Sequence, residues 1–191
     1  MQPRKQHLID IALILFNKYG YHATGIDLIL AESGVSKATL YKHFRSKEEL
    51  ILAALQLRHE QVVSKLKDKV EGNKQSPKNN DPVENVLVIF DNLSEWFNSE
   101  TFFGCNFINV SAEYADSNHP INIFAAKHKQ VIVDIIAAQL ATKATDKATQ
   151  KKADQIGLLV EGAIVMAHTR GMKQSALIAK EMARIILKTQ P

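Results

Sequence analysis

Between Ser36 and Lys47 the chain carries four basic side chains, Lys37, Lys42, Arg45 and Lys47, and no acidic one. Thr39, Tyr41 and His43 are interleaved with them. Cations and hydroxyls at this density suit hydrogen bonding to phosphate oxygens and to base edges in a major groove. The rest of the chain offers little to catalysis. It has no P-loop, no Gly-rich dinucleotide turn, no HExxH and no GxSxG. The seven histidines are scattered, and His119 and His128 lack the spacing of paired metal ligands. Cys105 is the single cysteine, which excludes an intrachain disulfide and a multi-cysteine metal site. An enzyme is therefore not expected, nor is a cofactor or a metal.

These basic residues need a scaffold, and the sequence predicts an all-α one. The 191 residues include only five prolines and eight glycines, and no long run alternates with period two. About nine helices are expected, over roughly 4–19, 26–33, 36–42, 46–70, 83–98, 101–116, 121–142, 151–170 and 173–188. Gly20, Gly34 and Gly171 are natural stops. Ser36 is a good N-cap, and Ser46 with Glu49 three residues later forms a capping-box pattern. The polar stretch 72–82, GNKQSPKNNDP, reads as a connection. The helix at 36–42 is too short to stand alone in water. Ile26, Ile29, Leu30, Val35, Leu40 and Phe44 are the apolar residues that would brace it.

Residues 24–50, TGIDLILAESGVSKATLYKHFRSKEEL, closely resemble the DNA-binding region of the TetR family of bacterial transcriptional regulators. The resemblance is carried by Ala31, Gly34-Val35-Ser36, Leu40-Tyr41, His43-Phe44, Ser46-Lys47-Glu48 and Leu50. Ala38 departs from it where many relatives have Gly, and Gly25-Ile26-Asp27 departs where Thr or Ser is common. The resemblance implies that Thr24, Tyr41, His43 and Lys47 contact phosphates. It implies that Lys37, Thr39 and Lys42 lie nearer base edges. It also implies a partition into a helix-turn-helix DNA-binding domain, residues 1–48, and a helical effector-binding and dimerisation domain, residues 49–191.

Within the second domain, the segment 103–116 is apolar on two sides, with Phe103, Phe107, Val110 and Tyr114 on one of them. Together with Trp96, Cys105, Phe124, His128 and Met166 it would line either a packed core or an apolar effector pocket, and the spacing leaves both open. The Gly104-Cys105 pair with Ala112-Glu113 downstream resembles a branch of the family that includes regulators responsive to electrophiles. Cys105 is read either as a buried small hydrophobe or as a redox or electrophile sensor, with no Lys or Arg adjacent in the chain. Residues 156–167, IGLLVEGAIVMA, carry one charge in twelve positions. A helix so apolar is buried on both sides, and Ile156, Leu159, Val160 and Ala163, with Ala179, Met182 and Ile186 of the last helix, are the expected homodimer interface.

The expected function is a ligand-responsive transcriptional regulator, a repressor by family default, that binds a palindromic operator in double-stranded DNA as a homodimer. The alternatives are a sensor acting through Cys105 and a helical adaptor without DNA binding. The net charge of +4 decides nothing by itself. No apolar run reaches the roughly 18 residues of a membrane span. The N-terminus has no apolar core of a signal peptide. A cytoplasmic protein with no membrane partner and a largely apolar small-molecule effector is expected.

Overall fold

The computed structural model describes residues 3–74, 81–141 and 146–189. Among them the secondary structure is helical throughout: α1 (Pro3–Tyr19), α2 (Ile26–Ser33), α3 (Lys37–His43), α4 (Lys47–Lys74), α5 (Pro82–Phe97), α6 (Asn106–Glu113), α7 (Pro120–Leu140), α8 (Lys147–Arg170) and α9 (Ser175–Lys188). The boundaries follow local chemistry. Gly34 takes the left-handed conformation at φ 65° and returns its N–H to the Leu30 carbonyl, closing α2. Ser36 caps α3 by accepting from the Thr39 N–H at 3.2 Å. At the start of α4 the Glu49 N–H donates to Ser46 Oγ at 3.2 Å, while the Glu49 carboxylate accepts from the Arg45 N–H at 2.5 Å. The expected capping box is thus present, with its return bond displaced by one residue.

Three elements differ from expectation. α4 runs on to Lys74, a turn beyond the expected end, so the connection starts later; residues 75–80 of it lie outside the described residues. α8 begins at Lys147, where Asp146 accepts from the Thr149 N–H at 2.7 Å and so caps the helix a turn early. α6 covers only Asn106–Glu113 rather than 101–116. Gly104 has φ 85° and Cys105 is extended, so no helix can run through them. Gly104 has no room for a side chain either, since a Cβ there would lie 2.6 Å from His168 Nδ1.

The chain forms two compact units, and neither is continuous in sequence. One takes the described residues through Gln61 together with Cys105–His128; the other takes Val62–Gly104 and the described residues from Lys129 onward. In the first, α1 packs against α2 and α3. Its core includes Leu8, Ala12, Phe16, Ile29, Leu40, Phe44, Leu50, Leu55, Phe107 and Val110. In the second, α5, α8 and α9 pack together around Val86, Phe90, Ile156, Val160, Ala176 and Ala183. Lys180 with Asp91 and Arg184 with Glu84 tie α9 to α5 by ion pairs, and Lys129 with Glu161 ties α7 to α8. These pairs are only part-buried and still reached by solvent, so apolar burial carries the packing.

Candidate nucleic-acid interface

The turn between α2 and α3 is held from three sides. Ser33 Oγ accepts from the Val35 N–H at 3.3 Å, and the Ser33 carbonyl meets His7 Nε2 of α1 at 3.1 Å. Ile29, Leu40 and Phe44 are buried beneath it, and Lys5 of α1 covers the Phe44 ring at 5.4 Å. Ile26, Leu30 and Val35 complete the brace but are only half-buried. This anchoring lets the seven residues of α3 keep a helix they would not form alone.

The outer face of α3 presents Lys37, Tyr41 and Lys42 to solvent, with Tyr41 47% exposed. Arg45, just beyond the helix, is exposed as well and extends the basic surface, although sequence reasoning assigned it no contact. Thr39 is half-buried, and its hydroxyl pairs with Ser36 Oγ at 2.9 Å. His43 is half-buried with its ring edge toward Phe44. Lys47 lies at the start of α4, where its ammonium donates to the His22 carbonyl at 3.1 Å. Burial lowers its pKa, opposed by the nearby Glu48 and Glu113 carboxylates.

Thr24 requires correction. It is fully buried, and its hydroxyl donates to the Gly20 carbonyl at 2.6 Å and lies 3.3 Å from that of Leu15. A hydroxyl turned into the α1–α2 turn is not presented to a phosphate. Its role here is to close that turn.

The expected effector residues separate. Cys105, Phe107, Tyr114, Phe124 and His128 belong to the first unit; Trp96, Phe103 and Met166 belong to the second. In the first, Phe107 stacks on His128 with ring centroids 3.5 Å apart, and Phe124 faces Phe107 at 6.4 Å. His59 of α4 joins them, its Nδ1 2.9 Å from His128 Nδ1 and its ring edge-on to Phe124. One of these two nitrogens carries the hydrogen and the other accepts it. Sequence reasoning missed His59. The signal was available in the i, i+4 register of Ile51, Leu55 and His59, which puts the imidazole on the buried side of α4. Arg58, beside it, was missed too. Burial lowers its pKa, against the pull of the neighbouring Cys105 thiol and Tyr21 phenol.

Tyr114 does not join this cluster. It caps the end of α6 and stacks on His22 at 4.7 Å, close to His119. Phe103 lies outside α6 and is 36% exposed, so it shares no helical face with Phe107. Trp96 packs against Phe97 and Phe102 within the second unit, and Met166 is half-buried in α8.

The expected interface residues also divide. Ile156, Val160, Ala163 and Ala179 are buried within the chain itself and offer nothing to a second copy. Leu159 and Ile186 are half-buried; Met182 is exposed. The large apolar residues that do face solvent are Leu158 and Val165 on α8 and Ile178, Met182 and Ile185 on α9, with Leu177 beside Ile178. Each set follows i, i+4, i+7 spacing, with Gly162 filling the gap on α8, so each helix carries one outward apolar stripe.

No helix among the described residues is long and apolar enough to cross a membrane. Among the same residues no group of three or more His, Cys, Asp or Glu is placed to hold a metal ion.

An N-terminal helix-turn-helix with a basic second helix, joined to a larger helical body, defines a DNA-binding transcriptional regulator. Residues 8–54 match the profile of bacterial regulatory proteins of the tetR family, and residues 82–182 match that of the LmrA/YxaF-like transcriptional regulator C-terminal domain. The chain belongs to the TetR family, whose members are transcriptional regulators and not enzymes. It is 26% identical over 190 residues to the HTH-type transcriptional regulator YxaF of Bacillus subtilis, covering 96% of this chain and 95% of that one. It is 25% identical over 168 residues to the regulator LmrA of the same organism, covering 86% of each. A TetR-family transcriptional regulator from Streptomyces coelicolor shares the fold with a TM-score of 0.83 and 26% identity, covering 98% of this chain and 90% of that structure.

Proposed function

We propose that this protein is a cytoplasmic, effector-responsive repressor that binds a palindromic operator as a homodimer. The observation that carries the reading is the exposed Lys37, Tyr41 and Lys42 face of α3, held on a buried Ile29, Leu40 and Phe44 brace. Two such helices, one from each protomer, would enter successive major grooves about 34–36 Å apart. Tyr41, His43 and Lys47 contact phosphates; Lys37, Thr39 and Lys42 approach base edges. The outward stripes of α8 and α9 pair the protomers.

The effector is a small, largely apolar molecule, and the His59, Phe107, Phe124 and His128 cluster is where it is recognised. Such a ligand lowers DNA affinity only by binding the released form more tightly than the DNA-bound one. In this reading residues 1–48 read the DNA and residues 49–191 sense the effector and dimerise. The DNA-binding assignment is tested with Tyr41→Phe/Lys47→Ala. This variant is expected to weaken binding to every duplex sequence and to flatten the salt slope by about 0.9 for the lost Lys47 contact. Unchanged affinity and slope would refute the phosphate assignment, and a wild type that binds no DNA would favour the adaptor reading.

In a second reading Cys105, buried at the start of α6, senses electrophiles. Treatment with N-ethylmaleimide is then expected to release DNA from the wild type and not from Cys105→Ser. Equal release from both would end this reading.

A further inference from the structure

The α1–α2 turn is gripped by α6. Helix α1 ends at Tyr19, and Gly20 breaks it at φ 90°, leaving the next N–H groups without a helical acceptor. Glu113, the last residue of α6, takes both: Tyr21 N–H donates to Oε1 at 2.8 Å and His22 N–H to Oε2 at 2.6 Å. A bidentate carboxylate on two amides is a strong and geometrically defined contact. The approach is close, and a Cβ at position 20 would lie 3.2 Å from Glu113 Oε1. At the other end of α6, Asn106 Nδ2 donates to the Tyr21 hydroxyl at 3.2 Å. The His22 ring is fixed as well, with Nε2 3.0 Å from the Glu113 carbonyl and its face on Tyr114.

His22 is therefore held by α6 through its N–H and its ring. Its remaining backbone group, the carbonyl, is the acceptor of the Lys47 ammonium. Lysine otherwise samples many rotamers on its flexible stem, and a fixed carbonyl narrows them. The ammonium has three donors, so one can stay on His22 while another meets a phosphate.

We propose that Glu113 is a positioning residue for DNA binding: by clamping the Tyr21 and His22 amides it fixes the carbonyl that aims Lys47 at the DNA backbone. This rests on the reading of Lys47 as a phosphate contact. Nothing about Glu113 requires it to touch DNA.

The test uses the full chain and a 30-base-pair duplex of random sequence as probe, because phosphate contacts are sequence-independent. Affinity is measured over a salt series for wild type, Glu113→Gln, Lys47→Ala and the double variant. Amide hydrogen exchange is followed at Tyr21 and His22. A glutamine has one acceptor where the carboxylate has two, so it holds only one of the two amides. The Glu113→Gln variant is expected to exchange faster at these amides and to bind the duplex about 3- to 10-fold more weakly. Its salt slope should approach that of Lys47→Ala, about 0.9 shallower than wild type. In the Lys47→Ala background the second change should add nothing.

Wild-type affinity and slope in Glu113→Gln, beside a loss in Lys47→Ala, would overturn the proposal and leave the Lys47 assignment standing. A lowered melting temperature with an unchanged slope would overturn it too, by showing a merely structural role. No loss in Lys47→Ala would overturn the phosphate assignment, and the positioning role with it. If Glu113→Gln proves too unstable to purify, Glu113→Asp carries the same test, since it keeps the charge and shortens its reach.

Discussion

Replacing Leu158 and Ile185 together by glutamate is expected to yield a folded monomer that has lost tight operator binding. In the isolated chain these side chains are 73% and 68% exposed, so the substitutions disturb no core packing. Surface changes away from buried features usually alter stability by only about 0.5 kcal/mol. In a dimer joined through the outward stripes of α8 and α9, the same substitutions would bury two carboxylates per protomer in an apolar contact, which is strongly unfavourable. Sedimentation should then report the 21.3 kDa protomer. Operator affinity should fall by about 10²- to 10⁴-fold, because the second reading head no longer acts at high effective concentration. A variant that still sediments as a dimer would show that the subunits meet elsewhere.

The second large effect is expected at α3. Lys37→Ala/Lys42→Ala removes both exposed lysines from its outer face. A good base-edge contact discriminates by about 1–3 kcal/mol, so the pair together would lower operator affinity by roughly 30-fold to more than 10⁴-fold. Binding to random-sequence duplex should fall much less. The ratio of specific to non-specific affinity is therefore the informative quantity. If both affinities drop by the same factor, the lysines meet phosphates, and base reading lies elsewhere on α3.

The reading head was legible in the sequence because its signals are local. Gly34 and Ser36 define a turn and a cap within three residues, and Leu40 and Phe44 are too apolar for an exposed face. The differences arise where backbone conformation or packing decides. The 103–116 segment has helical periodicity throughout, yet the left-handed Gly104 and extended Cys105 delay α6 to Asn106. A pattern of apolar residues does not reveal a backbone turn that fixes its neighbours. On α8 the sequence marks both faces as apolar, but only packing shows that Ile156, Val160 and Ala163, with Ala179 of α9, are covered by the chain's own helices, which leaves Leu158, Val165 and Ile185 outward. The resemblance put Thr24 on a phosphate, and nothing in its neighbours shows that it turns inward to Gly20. Glu113 acts on residues 92 and 91 positions away and His59 on one 69 away, separations no local pattern encodes.

The discontinuity of the first unit sets an order of events during synthesis. Its first part ends at Gln61, and the 43 residues 62–104 are made before Cys105–His128 arrive. At about 5–20 residues per second, the nascent reading head spends roughly 2–9 s with the Tyr21 and His22 amides unclasped and the α4 face around His59 uncovered. A ribosome that stalls within that stretch would expose an apolar surface to chaperones and proteases, although the helix-turn-helix itself has long been translated.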